Sequence, residues 1–243
     1  MSLGTLRGAL MMPLVMIWAF GVMAVFLALS FIPPLFRRCR GPMPRLWAKG
    51  IMLMCGIEWE LRGVEHRRDL GPKIVLFNHV STFDLVALAA VWRRSTTIVY
   101  KEDFHRIPVM GALMQRLGFI PIDRKNLAKA RTSLAQAARM VREKGMALVI
   151  SPEGARSGHG RLLPFKKGPF HLALETRAPL IPLVMTGLEE VMPAGSWFVK
   201  PGKVVAEYLP PISTEEWKPE NILEHMAEVR ALFLERLPDG AQL

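Results

Sequence analysis

The stretch Gly118–Ile150, GFIPIDRKNLAKARTSLAQAARMVREKGMALVI, changes its hydrophobic period twice. Phe119–Ile122 is a short β-rich run and Ala147–Ile150 is another, each too short and too apolar for anything but a buried strand. Between them Leu127, Ala130, Leu134, Ala137, Ala138 and Val141 fall on one face of a helix over Leu127–Lys144. Asn126 supplies an N-cap and Gly145 a C′ stop. A strand, a helix of this length and a second strand form the unit from which parallel sheets are built.

The same alternation extends in both directions. Strands are expected at Glu58–Val64, Lys73–Phe77, Thr97–Tyr100, Leu180–Met185 and Lys203–Leu209, and helices at Thr82–Arg93, Pro108–Leu117, Gly168–Thr176 and Glu220–Leu237. The fold class is therefore α/β, a mixed, largely parallel sheet flanked by helices.

The N-terminal segment breaks the pattern. Gly8–Phe36 has no charged residue and exceeds the roughly 20 apolar residues that span a bilayer. A straight helix of that whole length is longer than the hydrocarbon core, so a tilt, break or early stop is expected at Pro13, Gly21 or Pro33-Pro34. A cleaved signal peptide has a much shorter apolar region, and a buried core helix rarely runs so far without charge. A retained membrane anchor, one helix or a helix pair completed by Met43–Ile57, fits best, whether it crosses or re-enters. Arg37, Arg38, Arg40, Arg45 and Lys49 follow the segment, and the positive-inside rule then puts the body on the cytoplasmic face of a cell inner membrane. The expected division is 1–57, the anchor, and 58–243, the α/β domain.

In 243 residues, 32 Lys and Arg oppose 21 Asp and Glu, a net charge of +11 with mean hydropathy +0.22. The charge suits nucleic acid, anionic lipid or phosphorylated molecules. It is concentrated between Lys101 and Phe170, with fourteen basic residues against five acidic, at strand ends where an open α/β sheet binds its ligands. Cys39 and Cys55 form no disulfide or zinc pattern, and His105, His159 and His171 have no metal spacing. GxSxG, P-loop, GxGxxG and HExxH motifs are absent, which removes serine hydrolases, P-loop enzymes, dinucleotide enzymes and zincins.

Three blocks carry chemistry. In Val75–Asp84, VLFNHVSTFD, an apolar strand runs into His79, with Asp84 five residues on. A turn between them lets the carboxylate meet the imidazole, as a general base requires. Ser81-x-x-Asp84 is equally a capping box for the next helix, and both readings stand. Gly118–Arg124, GFIPIDR, ends on Arg124, a planar fork suited to phosphate. Ser151–Gly158, SPEGARSG, joins Glu153, Gly154 and Arg156 on a glycine-rich turn, and Lys166-Lys167-Gly168 follows at a helix mouth.

Together these blocks resemble the glycerolipid acyltransferase family that includes 1-acylglycerol-3-phosphate acyltransferases of the bacterial PlsC type. NHVSTFD stands for its NHxxxxD motif, GFIPIDR for its second block, EGARS for its EGTRS motif, and APLIPLV at Ala178–Val184 for its Ile-Pro block. The resemblance implies that His79 is the base and Asp84 its partner, and that Lys101, Arg124, Glu153, Gly154 and Arg156 hold the glycerol phosphate. It implies transfer of an acyl group from acyl-CoA or acyl carrier protein to the sn-2 hydroxyl of lysophosphatidic acid, giving phosphatidic acid, with no metal and no cofactor beyond that co-substrate. Lysophosphatidic acid, the acyl donor and an anionic membrane surface are the expected partners, and nucleic acid is not. Ala155 stands where the family usually has Thr. Two alternatives accompany this reading: acylation of another lyso-lipid such as lyso-ornithine lipid, and a non-enzymatic membrane adaptor with a degenerate site.

Overall fold

In a computed structural model, residues 3–67, 71–157 and 161–238 are described; Gly158, His159 and Met1 lie outside them, as do the side chains of residues 1–9, Arg7 included. The strands are β1 (Ile57–Arg62), β2 (Lys73–Phe77), β3 (Thr96–Lys101), β4 (Ile120–Ile122), β5 (Ala147–Ile150), β6 (Leu180–Thr186) and β7 (Gly202–Tyr208). They form one sheet in the order β1-β7-β6-β2-β5-β3-β4. Neighbours are parallel except at β6–β7, so β1 and β7 run against the other five. The sheet is mixed and largely parallel, as the alternation of elements predicts.

The helices are α1 (Leu3–Leu29), α2 (Pro33–Cys39), α3 (Pro42–Cys55), α4 (Asp84–Ala90), α5 (Met110–Leu117), α6 (Leu127–Lys144), α7 (Gly168–Thr176), α8 (Leu188–Val191) and α9 (Ile222–Leu234). All five residues of β2 are buried, which a parallel strand covered on both faces demands. Successive side chains point to opposite faces. Val75 and Phe77 pack into the layer of α1, α3 and α4, whereas Ile74 and Leu76 join α6, α7 and α9 on the other side. Each large apolar side chain so buried contributes about 1.5–3 kcal/mol, and this two-sided burial fixes where β2 ends.

α1 does not break at Pro13 or Gly21. Pro13 is exposed, so its ring and missing N–H sit on the outer side. The helix stops at Leu29, where Ser30 Oγ donates to the Leu27 carbonyl at 2.6 Å, and Pro33-Pro34 open α2. Leu10–Leu29 is long and apolar enough to cross a membrane, and only 22% of it is buried. Val15, Ala19, Met23 and Phe26 form its one buried stripe; Leu14, Ile17, Phe20 and Val25 face outward. That pattern marks a helix whose outer face is meant for lipid. α1 leans on α3 through two reciprocal bonds, Trp18 Nε1 to the Trp47 carbonyl at 3.0 Å and Trp47 Nε1 to the Ala19 carbonyl at 3.2 Å.

Two elements depart from their expected pattern. α4 begins at Asp84, not Thr82, because Asp84 turns the preceding loop back on itself. Leu127, assigned by its period to the buried stripe of α6, is 69% exposed, because the stripe runs one turn beyond the core it covers.

Candidate active site

β2 delivers Asn78 and His79 at its carboxyl end. Asn78 is fully buried and bonds the backbone of Met185 in both directions: Nδ2 donates to the carbonyl and Oδ1 accepts the amide, each at 2.8 Å. That clamp ties the end of β2 to β6 and sets the direction in which the chain leaves the sheet. His79 Nδ1 then meets Asp84 Oδ2. The same carboxylate accepts the amides of Val80 at 3.0 Å and Ser81 at 3.2 Å. Ser81 Oγ accepts the Phe83 amide at 3.1 Å and donates to the Met192 carbonyl at 2.8 Å. Asp84 therefore does both things its position allows: it accepts amides at the start of its helix and also meets the imidazole.

The segment after β5 holds the histidine from behind. Glu153 Oε1 accepts the His79 amide at 2.7 Å, and Oε2 accepts the Leu163 amide at 2.8 Å. The Ser157 amide donates to the His79 carbonyl at 2.9 Å. Both backbone polar groups of His79 are thus engaged by residues 153–157. Gly154 turns this loop with φ of +69°, a conformation that favours glycine, and a Cβ there would press on the Lys166 side chain at 3.3 Å. Arg156 reaches back to donate to Thr82 Oγ1, which places its guanidinium over the His79–Asp84 turn.

Burial dominates the electrostatics. Asp84, 1% exposed, is pushed up by burial, and the His79 ring and the Ser81 and Val80 amides pull it back. Glu153, also 1% exposed, is pushed up to about 7 by burial, against the pull of its two amide donors.

Lys101 and Arg124 end β3 and β4 at the same edge, but no hydrogen bond joins them to the His79 group among the described residues. By sheet order they stand two and three strand spacings from β2, roughly 10 and 14 Å. Lys101 is occupied by an ion pair with Asp103, and Arg124 is exposed. Of the seven residues expected here, the structure gathers His79, Asp84, Glu153, Gly154 and Arg156, and sets Lys101 and Arg124 at the rim. It adds Asn78, Ser157 and Leu163. Asn78 had a signal, a buried polar residue ending an apolar strand; the backbone donors had none, since an amide is the same in every residue.

An apolar cavity of about 120 Å³ opens beside Leu85, the neighbour of Asp84, and is lined by Met23, Trp47, Trp92, Leu113 and Phe119 among others. A larger cavity of about 350 Å³ lies at the amino ends of β2, β3 and β5, around Lys73, Thr96 and Ala147. It is on the far end of the sheet from His79, whereas the smaller one reaches Leu85, next in the chain to Asp84.

A buried carboxylate on a partly exposed histidine, with the Arg156 guanidinium over the turn between them, is a site built to move a proton. Residues 58–186 match the acyltransferase family model, and the chain belongs to that family. It is 35% identical over 188 residues to the 1-acyl-sn-glycerol-3-phosphate acyltransferase of Limnanthes alba, a match covering 77% of this chain and 66% of the relative. To the alpha form from Mus musculus it is 30% identical over 225 residues, covering 89% and 79%. The chain thus spans just under two thirds of the Limnanthes relative and more of the mouse one. The crystal structure of the 1-acyl-sn-glycerophosphate acyltransferase PlsC from Thermotoga maritima has the same fold, with TM-score 0.78 at 20% identity over 96% of this chain and 95% of that one.

Proposed function

We propose that this protein acylates the sn-2 hydroxyl of lysophosphatidic acid, forming phosphatidic acid for phospholipid synthesis, with the acyl group supplied as a thioester of coenzyme A or acyl carrier protein. The observation that carries the reading is the His79–Asp84 pair. With Nδ1–H donated to a buried carboxylate, Nε2 is the nitrogen left to accept a proton. The acceptor hydroxyl gives its proton to Nε2 as its oxygen attacks the thioester carbonyl carbon. The tetrahedral oxyanion then collapses, the C–S bond breaks, and the departing thiolate takes the proton back from the imidazolium. No acyl-enzyme forms.

Arg156, with Arg124 and Lys101 at the rim, holds the acceptor phosphate, and Gly154 lets it approach the backbone. Glu153 acts on the histidine and not on the glycerol, because it is buried behind His79 and holds that residue's amide. The cavity beside Leu85 takes the hydrocarbon chain, and Met23, Met110 and Met114 supply the adaptable lining that lengthening it requires. The outward face of α1, with Arg37 and Arg38 after it, seats the protein on an anionic membrane where its acceptor is dissolved. We place the catalytic domain on the cytoplasmic side of the inner membrane.

Purified enzyme tested on lysophosphatidic acid and on lyso-ornithine lipid decides the acceptor: turnover is expected on the first only. Turnover confined to the phosphate-free acceptor overturns the substrate, and acyl transfer unchanged in His79→Ala overturns the mechanism.

A further inference from the structure

Leu127 is the exposed member of the α6 stripe, and its surroundings are cationic. Lys125 precedes it, Lys129 follows, and Arg131 stands one turn on, at i+4 on the same face. Lys129 reaches Asp123 at 3.8 Å, a loose pair. Across the edge of the sheet, Asp103 is held below the usual carboxylate range by its hydrogen bond from Lys101 and by the nearby charges of Arg106 and Lys125. Lys101 pairs with Ile122 at the end of β3 and β4, so the 3₁₀ turn Glu102–Arg106 and the loop into α6 leave the sheet side by side.

From this arrangement we infer that Leu127 with Lys125, Lys129, Arg131 and Arg106 is the docking surface for an acidic protein that carries the acyl donor as a thioester. The inference rests on the acyl-transfer function and names the partner that feeds it.

Three observations choose this occupant. α6 packs in the layer opposite α1 and α3, so Leu127 does not continue the outward apolar face of α1. A free coenzyme gains little from an apolar side chain exposed on a convex helix, whereas an acidic helix presenting one apolar residue among its carboxylates is complementary to it. The patch is also small. It supports a weak, salt-sensitive contact that forms quickly and dissolves, as a partner exchanged at every turnover requires. It follows the edge strand β4, which lies three strand spacings, roughly 14 Å, from β2, a gap for the carrier's flexible arm to cross.

The full-length protein in detergent is assayed with acyl carrier protein and with coenzyme A as alternative carriers of the same acyl chain. Lys125→Glu/Arg131→Glu is expected to lower kcat/KM for the carrier-protein thioester by about tenfold or more, and Leu127→Gln by less. Both should leave the coenzyme A thioester within about twofold and leave binding to phosphatidylglycerol vesicles unchanged. Arg139→Glu/Arg142→Glu, the same charge change farther along α6, should affect neither donor. An equal loss with both donors, a loss of vesicle binding, an equal effect of the control variant, or a wild-type enzyme that accepts only coenzyme A each overturns the docking surface. If no donor supports transfer to lysophosphatidic acid, the acyl-transfer function is what fails. The surface is then judged by titrating labelled acyl carrier protein against wild type and Lys125→Glu/Arg131→Glu, and equal affinities overturn it.

Discussion

Glu153 Oε1 accepts the backbone amide of His79 at 2.7 Å, so the glutamate of one block supports the histidine of another from behind. At 1% exposure and behind the histidine, this carboxylate is shielded from a substrate hydroxyl. In Glu153→Gln one of the two amides meets an NH2 group, leaving a buried donor unpaired at a cost of about 1–3 kcal/mol. The expected result is a kcat lower by roughly tenfold to a hundredfold with the acceptor KM nearly unchanged, read by steady-state kinetics. A rise in KM at constant kcat would instead put Glu153 on the substrate.

Stability should carry the same residue's signature. Glu153 titrates near 7 in the folded chain, above its ordinary value near 4.5. The folded state therefore holds the proton over a window in which the unfolded chain has lost it. Its contribution is fully present below about pH 4.5, declines as pH rises toward 7, and is level above that. At about 1.4 kcal/mol per unit, the loss is at most about 3 kcal/mol. The difference in unfolding free energy between wild type and Glu153→Gln, followed by denaturant titration from pH 5 to 8, should fall with pH. A flat difference sinks the assignment.

Asp84→Asn separates orientation from folding. Val80 and the imidazole share Oδ2, so an NH2 group placed there drives the ring proton to Nε2 and leaves the Val80 amide unpaired, while the Ser81 amide still meets the remaining oxygen. The base is then blocked at the nitrogen that must accept. A loss of roughly 10²–10⁴ in kcat is expected with only a small change in melting temperature, since the unpaired Val80 amide is offset by removal of a buried carboxyl group. Equal losses of activity and stability would mean that Asp84 matters only as a helix terminus.

Much of the fold was legible in the residues, and the reason differs by element. β2, β5, α6 and α7 match their expected bounds because burial on two faces or on one stripe writes a period that nothing local competes with. α4 starts late because the His79–Phe83 turn is made by a side chain, Asp84, bonding amides, which no periodicity records. Pro13 was a local signal for a break, but on the exposed side of α1 its ring and missing N–H are accommodated without one. The reversed direction of β1 and β7 is not encoded in either strand; it follows from the 187–201 connection, where Gly187 packs so closely on the Lys203 carbonyl that a Cβ would sit 2.0 Å from it. That His79 meets Asp84 across a turn was readable from residue type and place. The supporting role of Glu153 was not, because its partners are backbone amides.

The helix pair at the membrane should be tuned to the cavity it helps enclose. A Cβ at Gly50 of α3 would fall 2.2 Å from the indole of Trp18 on α1. Gly50→Ala therefore displaces Trp18 and breaks its bond to the Trp47 carbonyl. Overpacking of this kind costs about 1–3 kcal/mol, and because Trp47 and Met23 line the apolar cavity, the strain reaches the hydrocarbon site. The expected outcome is a lower melting temperature in detergent together with an altered preference among acyl chain lengths, while the response to the acceptor phosphate is kept. Trp18→Leu in the Gly50→Ala background should recover stability beyond the sum of the two single changes, because residues in contact couple. Additive effects would mean that α1 and α3 do not depend on this contact, and that the cavity keeps its shape without it.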